Sequence, residues 1–277
     1  MNYMKSMKKV NMVKKMIAPL CICAVLVTCT SDPFTGKKSV ALVGNSELFP
    51  ESFAQYQEFL NQSEIIPEGA DAEMVQRIGN KIKTAAEQWV DSLGQPDYLK
   101  DYQWEYHLVQ SDEINAWCMP GGKIVVYTGI LPVTQNEDAL AVVLGHEVSH
   151  ALLNHGQQSQ SAGIFQQVGA MGVAILTSGM SDTAQQTAQT VYGAGSHVAA
   201  ILPFSRENEN EADHYGLILM TIAGYNPEEA IAFWERMSSL GGGTLEFLST
   251  HPSDEKRIAN IQGWIPEAEK IAAELRR

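Results

Sequence analysis

The stretch LAVVLGHEVSHALLNH, residues 140–155, decides the local fold of this chain and raises its main chemical question. In a helix, His146 and His150 project from one face because they stand four residues apart, so both imidazoles can bind one ion at about 2 Å. Glu147 lies beside them, near enough to reach a water on that ion. The alternative interpretation makes all three ordinary polar side chains on the solvent face of an amphipathic helix.

Two observations favour the metal-binding interpretation. Gly145 stands where a solvated helix face would carry a stronger helix former, and a glycine leaves room for close backbone approach. An acidic segment, SRENENEADHYG at 205–216, follows later in the chain and can supply the third protein ligand that a catalytic zinc needs.

Spacing alone leaves three candidates for that ligand, Glu207, Glu209 and Glu211. Glu209 and Asp213 stand one helical turn apart. If Glu209 binds the metal, Asp213 can therefore accept a hydrogen bond from a ligand histidine and fix its tautomer.

The N-terminal segment differs from the rest of the chain. Five lysines and no acidic residue precede the apolar run Met16–Cys29, which has the length of a signal-peptide core and is short for a membrane span. We interpret residues 1–28 as a lipoprotein-type signal peptide, because LVTC at 26–29 resembles a lipobox in which Cys29 becomes the lipidated first residue. The alternative is an uncleaved N-terminal membrane anchor.

Composition predicts one globular domain behind this segment. The chain has 277 residues, of which 45% are hydrophobic. We expect residues 29–45 to form a lipidated tether and residues 46–277 a single domain.

The net charge of the chain is −13. Without the five N-terminal lysines, the remaining chain has 14 basic and 32 acidic residues, a net charge of −18. Such a body repels nucleic acid, so we expect no nucleic-acid partner.

The cysteines exclude two kinds of stabilising site. Cys21 and Cys23 leave with the signal and Cys29 carries the lipid, so Cys118 is the remaining thiol. An internal disulfide and a cysteine-based zinc site are then both impossible.

Residue periodicity predicts the main elements. Between Gly69 and Gly94, apolar residues recur at three- and four-residue steps and predict a long amphipathic helix; they are Val75, Ile78, Ile82, Ala86 and Trp89. YQWEYHLV at 102–109 and GGKIVVYTG at 121–129 predict two strands of a small sheet, most simply antiparallel.

The helix that carries the two histidines has a predicted start signal. Thr134 and Glu137 form a capping-box pattern at its head. From Ser205 onward we expect three more helices, with breaks at GYNP, residues 224–227, and LGGG, residues 240–243.

The region 156–203 is rich in Gly, Ala, Ser and Gln and contains the apolar patch Val168–Leu176. Nine residues cannot cross a membrane. We interpret the region as helical or mobile cover beside the site, with surface association and simple packing both open.

The chain resembles the membrane-associated gluzincins, a family that includes CAAX prenyl endopeptidases, HtpX-type proteases and periplasmic lipoproteins of the BepA and LoiP type. The resemblance rests on HEVSH with SRENENEAD about sixty residues later. Three further segments match, PFTGKKSVALV at 33–43, NAWCMPGGKIVVYTGIL at 115–131 and THPSDEKRI at 250–258. We expect no helical repeat domain, so the likeness is to the short LoiP-type members.

The resemblance implies a role for particular residues. His146, His150 and Glu209 would bind one Zn²⁺ per chain, with Glu147 as general base and Asp213 behind the ligands. Asn115 would begin an edge strand that pairs with an extended substrate.

His251 and Arg257 match a family pair near the metal. They would stabilise the oxyanion, or His251 would occupy the open zinc position in a resting form. The alternatives are a helix-start histidine and a surface ion pair. His107, His155, His197 and His214 are interpreted as structural, as are Trp117 and Cys118.

The predicted fold is α+β and predominantly helical, a zincin-like metalloprotease domain with a small antiparallel sheet and an active-site helix. The resemblance implies an endopeptidase. The predicted signal peptide and lipobox place it in the bacterial cell envelope, on the periplasmic side and lipid-anchored, and Thr30 after Cys29 carries no retention signal, so we prefer the outer membrane. Its substrates would be misfolded or misassembled envelope proteins. The alternative function is a lipid-anchored chaperone or assembly factor with a structural or latent zinc site.

Overall fold

The structure is a computed structural model. It describes residues 28–197, 201–240, 247, 251 and 256–276. Apart from Thr28, the predicted signal peptide at 1–28 lies outside the described residues. No described helix combines the length and the apolar character that a membrane crossing needs.

Helices make up most of the described chain, which confirms the predominantly helical prediction. In chain order they are α1 (Asn45–Asn61), α2 (Ala70–Ser92), α3 (Leu131–Thr134), α4 (Glu137–Leu152), α5 (His155–Thr177), α6 (Asp182–Ser196), α7 (Leu202–Ile222), α8 (Glu229–Ser239) and α9 (Arg257–Leu275). The strands are β1 (Thr28–Ser31), β2 (Lys38–Ala41), β3 (Ile65–Ile66), β4 (Glu105–Val109), β5 (Ala116–Met119) and β6 (Lys123–Tyr127).

The two predicted strands, β4 and β6, are neighbours but run parallel, with Tyr106 opposite Ile124. The prediction of an antiparallel sheet is therefore wrong for this pair. The sheet is mixed, in the order β3, β4, β6, β5, and its other two pairs are antiparallel.

A hairpin explains why β4 and β6 are parallel. Gly121 and Gly122 both have φ of 87°, a conformation that favours glycine, and they turn the chain from β5 into β6. The chain leaves β4, reaches the edge as β5, and returns between them as β6. The composition of the strands themselves carries no information about this return.

Helix α2 confirms the predicted amphipathic helix. Its apolar positions are buried in the main core, including Val75, Ile78 and Ile82. This face packs against β4 and α4, so α2 supports both the sheet and the helix that carries the histidines.

Helix α4 is capped by a different residue from the one that the predicted capping box names. Asn136 is the N-cap residue, and its side chain accepts a hydrogen bond from the Ala139 amide at 2.8 Å. Thr134 instead ends the short helix α3 and donates to the Leu131 carbonyl. The capping-box prediction is therefore wrong, because an intervening turn with Gln135 at φ 65° separates the two helices.

Helices α4 and α7 cross with their backbones in contact. A Cβ atom on Gly145 would lie 2.6 Å from the carbonyl oxygen of Gly216, and a Cβ on Gly216 would lie 2.7 Å from the amide nitrogen of His146. The predicted close backbone approach at Gly145 is confirmed. The contact places His146 directly beside the segment of α7 that precedes Gly216.

The three predicted C-terminal helices are confirmed as α7, α8 and α9. The predicted cover, 156–203, is mostly helical where it is described and forms most of α5 and all of α6. Its apolar side chains are largely exposed; they include Phe165, Val168, Met171, Ile175, Leu176, Met180 and Val191. We name these seven residues the apolar face.

The segment between β1 and β2 packs against the body. The Phe34 ring contacts Trp89, Tyr98 and Tyr215 at centroid distances of 4.9, 6.0 and 6.1 Å. Asp32 shapes the turn, because its Oδ1 accepts hydrogen bonds from the amides of Phe34 and Thr35. This part of the predicted tether therefore has a fixed place on the domain.

Replacing Gly145 by alanine tests the helix crossing. We expect Gly145→Ala to lower the free energy of unfolding by about 1–3 kcal/mol, because overpacking forces the two backbones apart. Gly263→Ala on α9 is the matched control, since a Cβ there meets nothing within 4 Å. That change should raise stability by about 0.5–1 kcal/mol. Chemical denaturation measures both, and equal effects would contradict the close contact.

Candidate metal centre

Helix α4 brings His146, Glu147 and His150 to one buried place. His146 and Glu147 are 1% and 3% exposed, and His150 is partly buried. The Nε2 atoms of His146 and His150 lie 3.1 Å apart. The alternative interpretation, a solvated helix face, is therefore wrong.

Helix α7 delivers Glu209 to the same place. Its two carboxylate oxygens lie 3.4 Å from His146 Nε2 and 3.3 Å from His150 Nε2. Glu207 and Glu211 instead contact the Lys37 ammonium, each at 2.5 Å. Of the three glutamates that spacing left open, the geometry brings Glu209 to the histidines.

His251 completes the cluster from the other side. Its Nδ1 lies 3.1 Å from His146 Nε2 and 3.1 Å from each Glu209 oxygen. Its Nε2 lies 3.3 Å from Glu147. The residues His146, His150, Glu209 and His251 thus each offer one ligand atom within 4.8 Å of the others. We name these four the donor cluster.

The donor cluster fits zinc in both chemistry and size. Imidazole nitrogens with a carboxylate oxygen are a common zinc ligand set, and ligands of a tetrahedral zinc lie about 3.3 Å apart. The measured separations of 3.1–3.4 Å match that spacing. Glu147 Oε1 is buried beside the cluster; it has no hydrogen-bond partner and lies 3.3 Å from His251 Nε2.

Asp213 and Arg257 form hydrogen bonds to members of the donor cluster. Asp213 Oδ1 lies 2.9 Å from His146 Nδ1, so it can accept that proton and turn Nε2 toward the donor cluster. Arg257 donates to both Asp213 oxygens at 2.5 and 2.8 Å, and its Nη2 reaches Glu209 at 3.4 Å. The guanidinium also stacks 3.4 Å over Trp234. Arg257 is buried, so the surface ion pair considered for it is wrong.

Burial and neighbouring charge shift the pKa values in this cluster. Burial raises the pKa of Glu147, and burial lowers that of His150 to about 3. Burial also disfavours charge on His146, but hydrogen bonds to Asp213 and Glu209 outweigh it and raise its pKa to about 9. Burial opposes ionisation of Glu209, yet its three histidine partners bring its pKa far below the usual range.

The prediction that His155 lies away from the site is wrong. It is 3% exposed, and its Nδ1 lies 2.9 Å from His150 Nδ1. On one continuous helix, a residue five positions on would leave the shared face. Instead α4 ends at Leu152, and Asn154 adopts a left-handed φ of 56° that turns the chain back. Asparagine tolerates that conformation better than most residues, and it was the available sequence signal.

The other histidines and the edge strand lie as follows. His107 pairs with Tyr56, His214 pairs with Glu267, and His197 is exposed, so none joins the donor cluster. Asn115 precedes β5, the edge strand of the four-stranded sheet, and its side chain accepts from the Ala116 amide.

Trp117 and Cys118 both lie in β5. The Trp117 ring packs against Tyr56 and Phe59. Burial raises the pKa of Cys118, which disfavours the reactive thiolate. Burial raises the pKa of Glu147, and a hydrogen bond from the Cys118 backbone partly opposes that rise, which places the edge strand beside the site.

Comparison with known proteins places this chain in a metallopeptidase family. The sequence profile of peptidase family M48 matches residues 77–265. The chain is 38% identical over 174 residues to the mitochondrial metalloendopeptidase OMA1 of Schizosaccharomyces pombe, covering 62% of this chain and 49% of that protein. It is 34% identical over 227 residues to OMA1 of Saccharomyces cerevisiae, and this match covers 76% of this chain and 61% of that protein.

A bacterial relative is also similar. The beta-barrel assembly-enhancing protease of Escherichia coli is 30% identical over 186 residues, covering 63% of this chain and 38% of that protein. The chain thus spans about half the length of the relatives it matches. The narrower likeness to short LoiP-type lipoproteins stays a prediction.

The predicted location is wrong. A bacterial cell envelope with a periplasmic, outer-membrane preference was expected, yet similar proteins from two yeasts, Arabidopsis thaliana, cattle and human are mitochondrial metalloendopeptidases. The lipobox resemblance drew the prediction to bacteria, and the family motifs themselves carry no information about the compartment.

Replacing Glu209 tests the ligand set. Loss of a residue that hydrogen-bonds a metal ligand lowers metal affinity about 10- to 100-fold. Because Glu209 is itself a proposed ligand, we expect Glu209→Gln to lower zinc affinity by more than that. Glu207→Gln is the matched control on the same helix, since Glu207 is exposed and contacts Lys37. Competition with a chromogenic chelator measures both affinities. Equal losses in the two variants would contradict the assignment of Glu209.

Proposed function

The chain belongs to peptidase family M48, and we propose that it is a zinc-dependent endopeptidase that cuts unfolded or misassembled proteins as part of protein quality control. The observation that carries the proposal is the pairing of the donor cluster with Glu147. A ligand set for zinc lies beside a buried carboxylate whose Oε1 accepts no hydrogen bond.

His146, His150 and Glu209 are the proposed zinc ligands. A bound zinc would polarise the substrate carbonyl and lower the pKa of water. His251 occupies the fourth place in the conformation described here, and catalysis requires an open place. We therefore propose that this conformation is a resting one and that His251 withdraws before a substrate binds.

Glu147 is the proposed general base. Its Oε1 accepts no hydrogen bond and lies 3.3 Å from His251 Nε2, so once His251 withdraws it can accept a proton from the attacking water and later donate it to the leaving nitrogen. Burial raises its pKa, and a carboxyl group that both accepts and returns a proton near neutral pH needs such a shift. Asp213 meanwhile keeps the His146 proton on Nδ1.

Two further groups could donate to the oxyanion. Arg257 Nη1 is buried without a hydrogen-bond partner, although the rest of the guanidinium holds Asp213 and Glu209. His251, which lies 3.3 Å from Glu147 in the resting conformation, is the alternative donor after its ring has left the metal position. We propose that one of them stabilises the charge that develops on the carbonyl oxygen.

The edge strand β5 is the proposed substrate platform. It pairs with β6 on one side and forms an edge of the four-stranded sheet. An extended segment that begins pairing near Asn115 would run along β5 past Cys118, whose backbone faces Glu147. Such pairing needs no chain terminus, which supports cleavage within a polypeptide. The relative named for assembly enhancement supports misassembled proteins as substrates.

Replacing Glu147 tests the enzymatic proposal. We expect Glu147→Gln to bind one zinc per chain and to cleave casein at least about 100-fold more slowly, since a general base contributes 10²–10⁴-fold. Zinc content and proteolysis are measured on the same preparations.

The same experiment addresses a second function. The four-donor cluster also suits a structural zinc in a chaperone or assembly factor. Zinc-loaded wild-type protein that holds unfolded clients but cuts nothing would contradict the endopeptidase and favour that function.

We also propose membrane attachment through the N-terminal segment. In this proposal residues 1–28 are a cleaved leader, Cys29 carries a lipid, residues 29–45 join it to the domain, and residues 46–277 form the protease domain. The residue after β2, Leu42, donates its amide to Ser161 on α5, so the attachment point lies near the helix that carries much of the apolar face. Contact of that face with the same membrane would remove its apolar surface from water.

Replacing Cys29 tests this attachment. We expect Cys29→Ser to abolish the lipid mass on the N-terminal peptide and to move the protein from the membrane fraction toward the soluble fraction. Cys118→Ser is the control, because that thiol lies in β5. Mass spectrometry and fractionation report the outcome, and an unmodified N-terminal peptide in the wild type would contradict the proposal.

A further inference from the structure

A chain of contacts runs outward from His150 through three residues outside the donor cluster. His150 Nδ1 lies 2.9 Å from His155 Nδ1, and His155 Nε2 lies 3.2 Å from Glu211 Oε2. Glu211 Oε1 in turn accepts from the Lys37 ammonium at 2.5 Å. His155 is buried within the domain, whereas the Lys37 side chain is 54% exposed.

The positions of the nitrogens assign the protons. His150 Nε2 faces His146 and Glu209 in the donor cluster, so a metal there leaves the His150 proton on Nδ1. His155 Nδ1 must then accept this proton with its lone pair. The single N–H proton of His155 therefore lies on Nε2 and is donated to Glu211, while Lys37 compensates the charge of that carboxylate.

We infer that His155, Glu211 and Lys37 form a positioning relay that fixes the tautomer and ring orientation of His150 and thereby sets the metal affinity of the site. The inference rests on the proposed function, because it takes His150 to be a zinc ligand. The relay parallels the arrangement behind the other histidine, where Asp213 receives the His146 proton and Arg257 compensates Asp213. Each ligand histidine is thus linked, directly or through His155, to a carboxylate that is paired with a basic side chain.

The geometry ranks the three members. Partners that hold a ligand imidazole strengthen metal binding by about 10- to 100-fold. His155 contacts the ligand directly in a buried place, so its contribution should be the largest. Glu211 acts through His155. Lys37 contacts Glu211 directly but is half-exposed, and exposed ion pairs contribute little.

The relay also gives the N-terminal segment a role at the site. Lys37 lies just before β2, and its amide donates to Thr35 Oγ1 within a turn that Asp32 closes. The packing of Phe34 on Trp89 holds this turn on the domain. A segment predicted only as a tether therefore reaches the surroundings of His150.

Substitutions at His155 test the relay. His155→Phe keeps a ring but removes both hydrogen bonds, and we expect zinc affinity to fall about 10- to 100-fold. His155→Gln can accept from His150 and donate to Glu211, so it should recover most of that loss. His214→Phe is the control, since His214 pairs with Glu267 away from the cluster. Lys37→Met should cost less than His155→Phe.

Three readouts separate positioning from folding. Chelator competition gives zinc affinity, the visible absorption of the Co²⁺-substituted protein reports ligand geometry, and thermal melting of the metal-free protein reports stability. We expect an altered Co²⁺ spectrum in His155→Phe and a wild-type spectrum in His155→Gln.

The outcomes also separate this inference from the proposed function. Wild-type protein that binds zinc, together with His155→Phe of unchanged affinity and spectrum, would overturn the relay alone. An affinity loss that tracks the melting temperature and is not recovered by glutamine would also overturn it. Wild-type protein that binds no zinc would overturn both proposals.

Discussion

The contact between Gly145 and Gly216 is the constraint on which the site depends. Because neither residue has a side chain, α4 and α7 meet backbone to backbone. His146 follows one glycine directly, and Asp213 stands one turn before the other, so the crossing places an imidazole nitrogen 2.9 Å from a carboxylate oxygen. Glu209 lies one further turn along α7 and reaches both histidines. Residues some sixty positions apart thus become one ligand set.

Charge is the second constraint. Glu147, Glu209 and Asp213 are buried, and burying carboxylates is costly unless they are paired. Arg257 compensates Asp213 and Glu209 in part, and hydrogen bonds to these two carboxylates raise the pKa of His146 despite its burial. A zinc ion would supply the remaining positive charge without protonating a ligand. The relay through His155 and Glu211 then gives the second histidine the same kind of support as the first.

Features of the fold that depend on a local residue pattern could be predicted from the sequence. The steps from Val75 to Trp89 gave α2, and Gly145 gave the close helix approach. Sequence spacing did not decide which of three glutamates, Glu209 among them, binds the metal. All three lie within about one helical turn, and spacing does not tell which side of that turn faces α4. The sequence pattern also missed the parallel pairing of β4 and β6 and the place of His155, because a hairpin and a left-handed Asn154 reverse the chain at those points. Reversals depend on single residues, and periodicity does not report them.

A zinc ion held by His146, His150 and Glu209 would be visible in a crystal structure of zinc-loaded protein with anomalous data at the zinc edge. We expect one anomalous peak about 2.0–2.2 Å from an imidazole nitrogen of each histidine and from a Glu209 oxygen. A peak at another place, or a Glu209 carboxylate turned away from the ion, would contradict this ligand set.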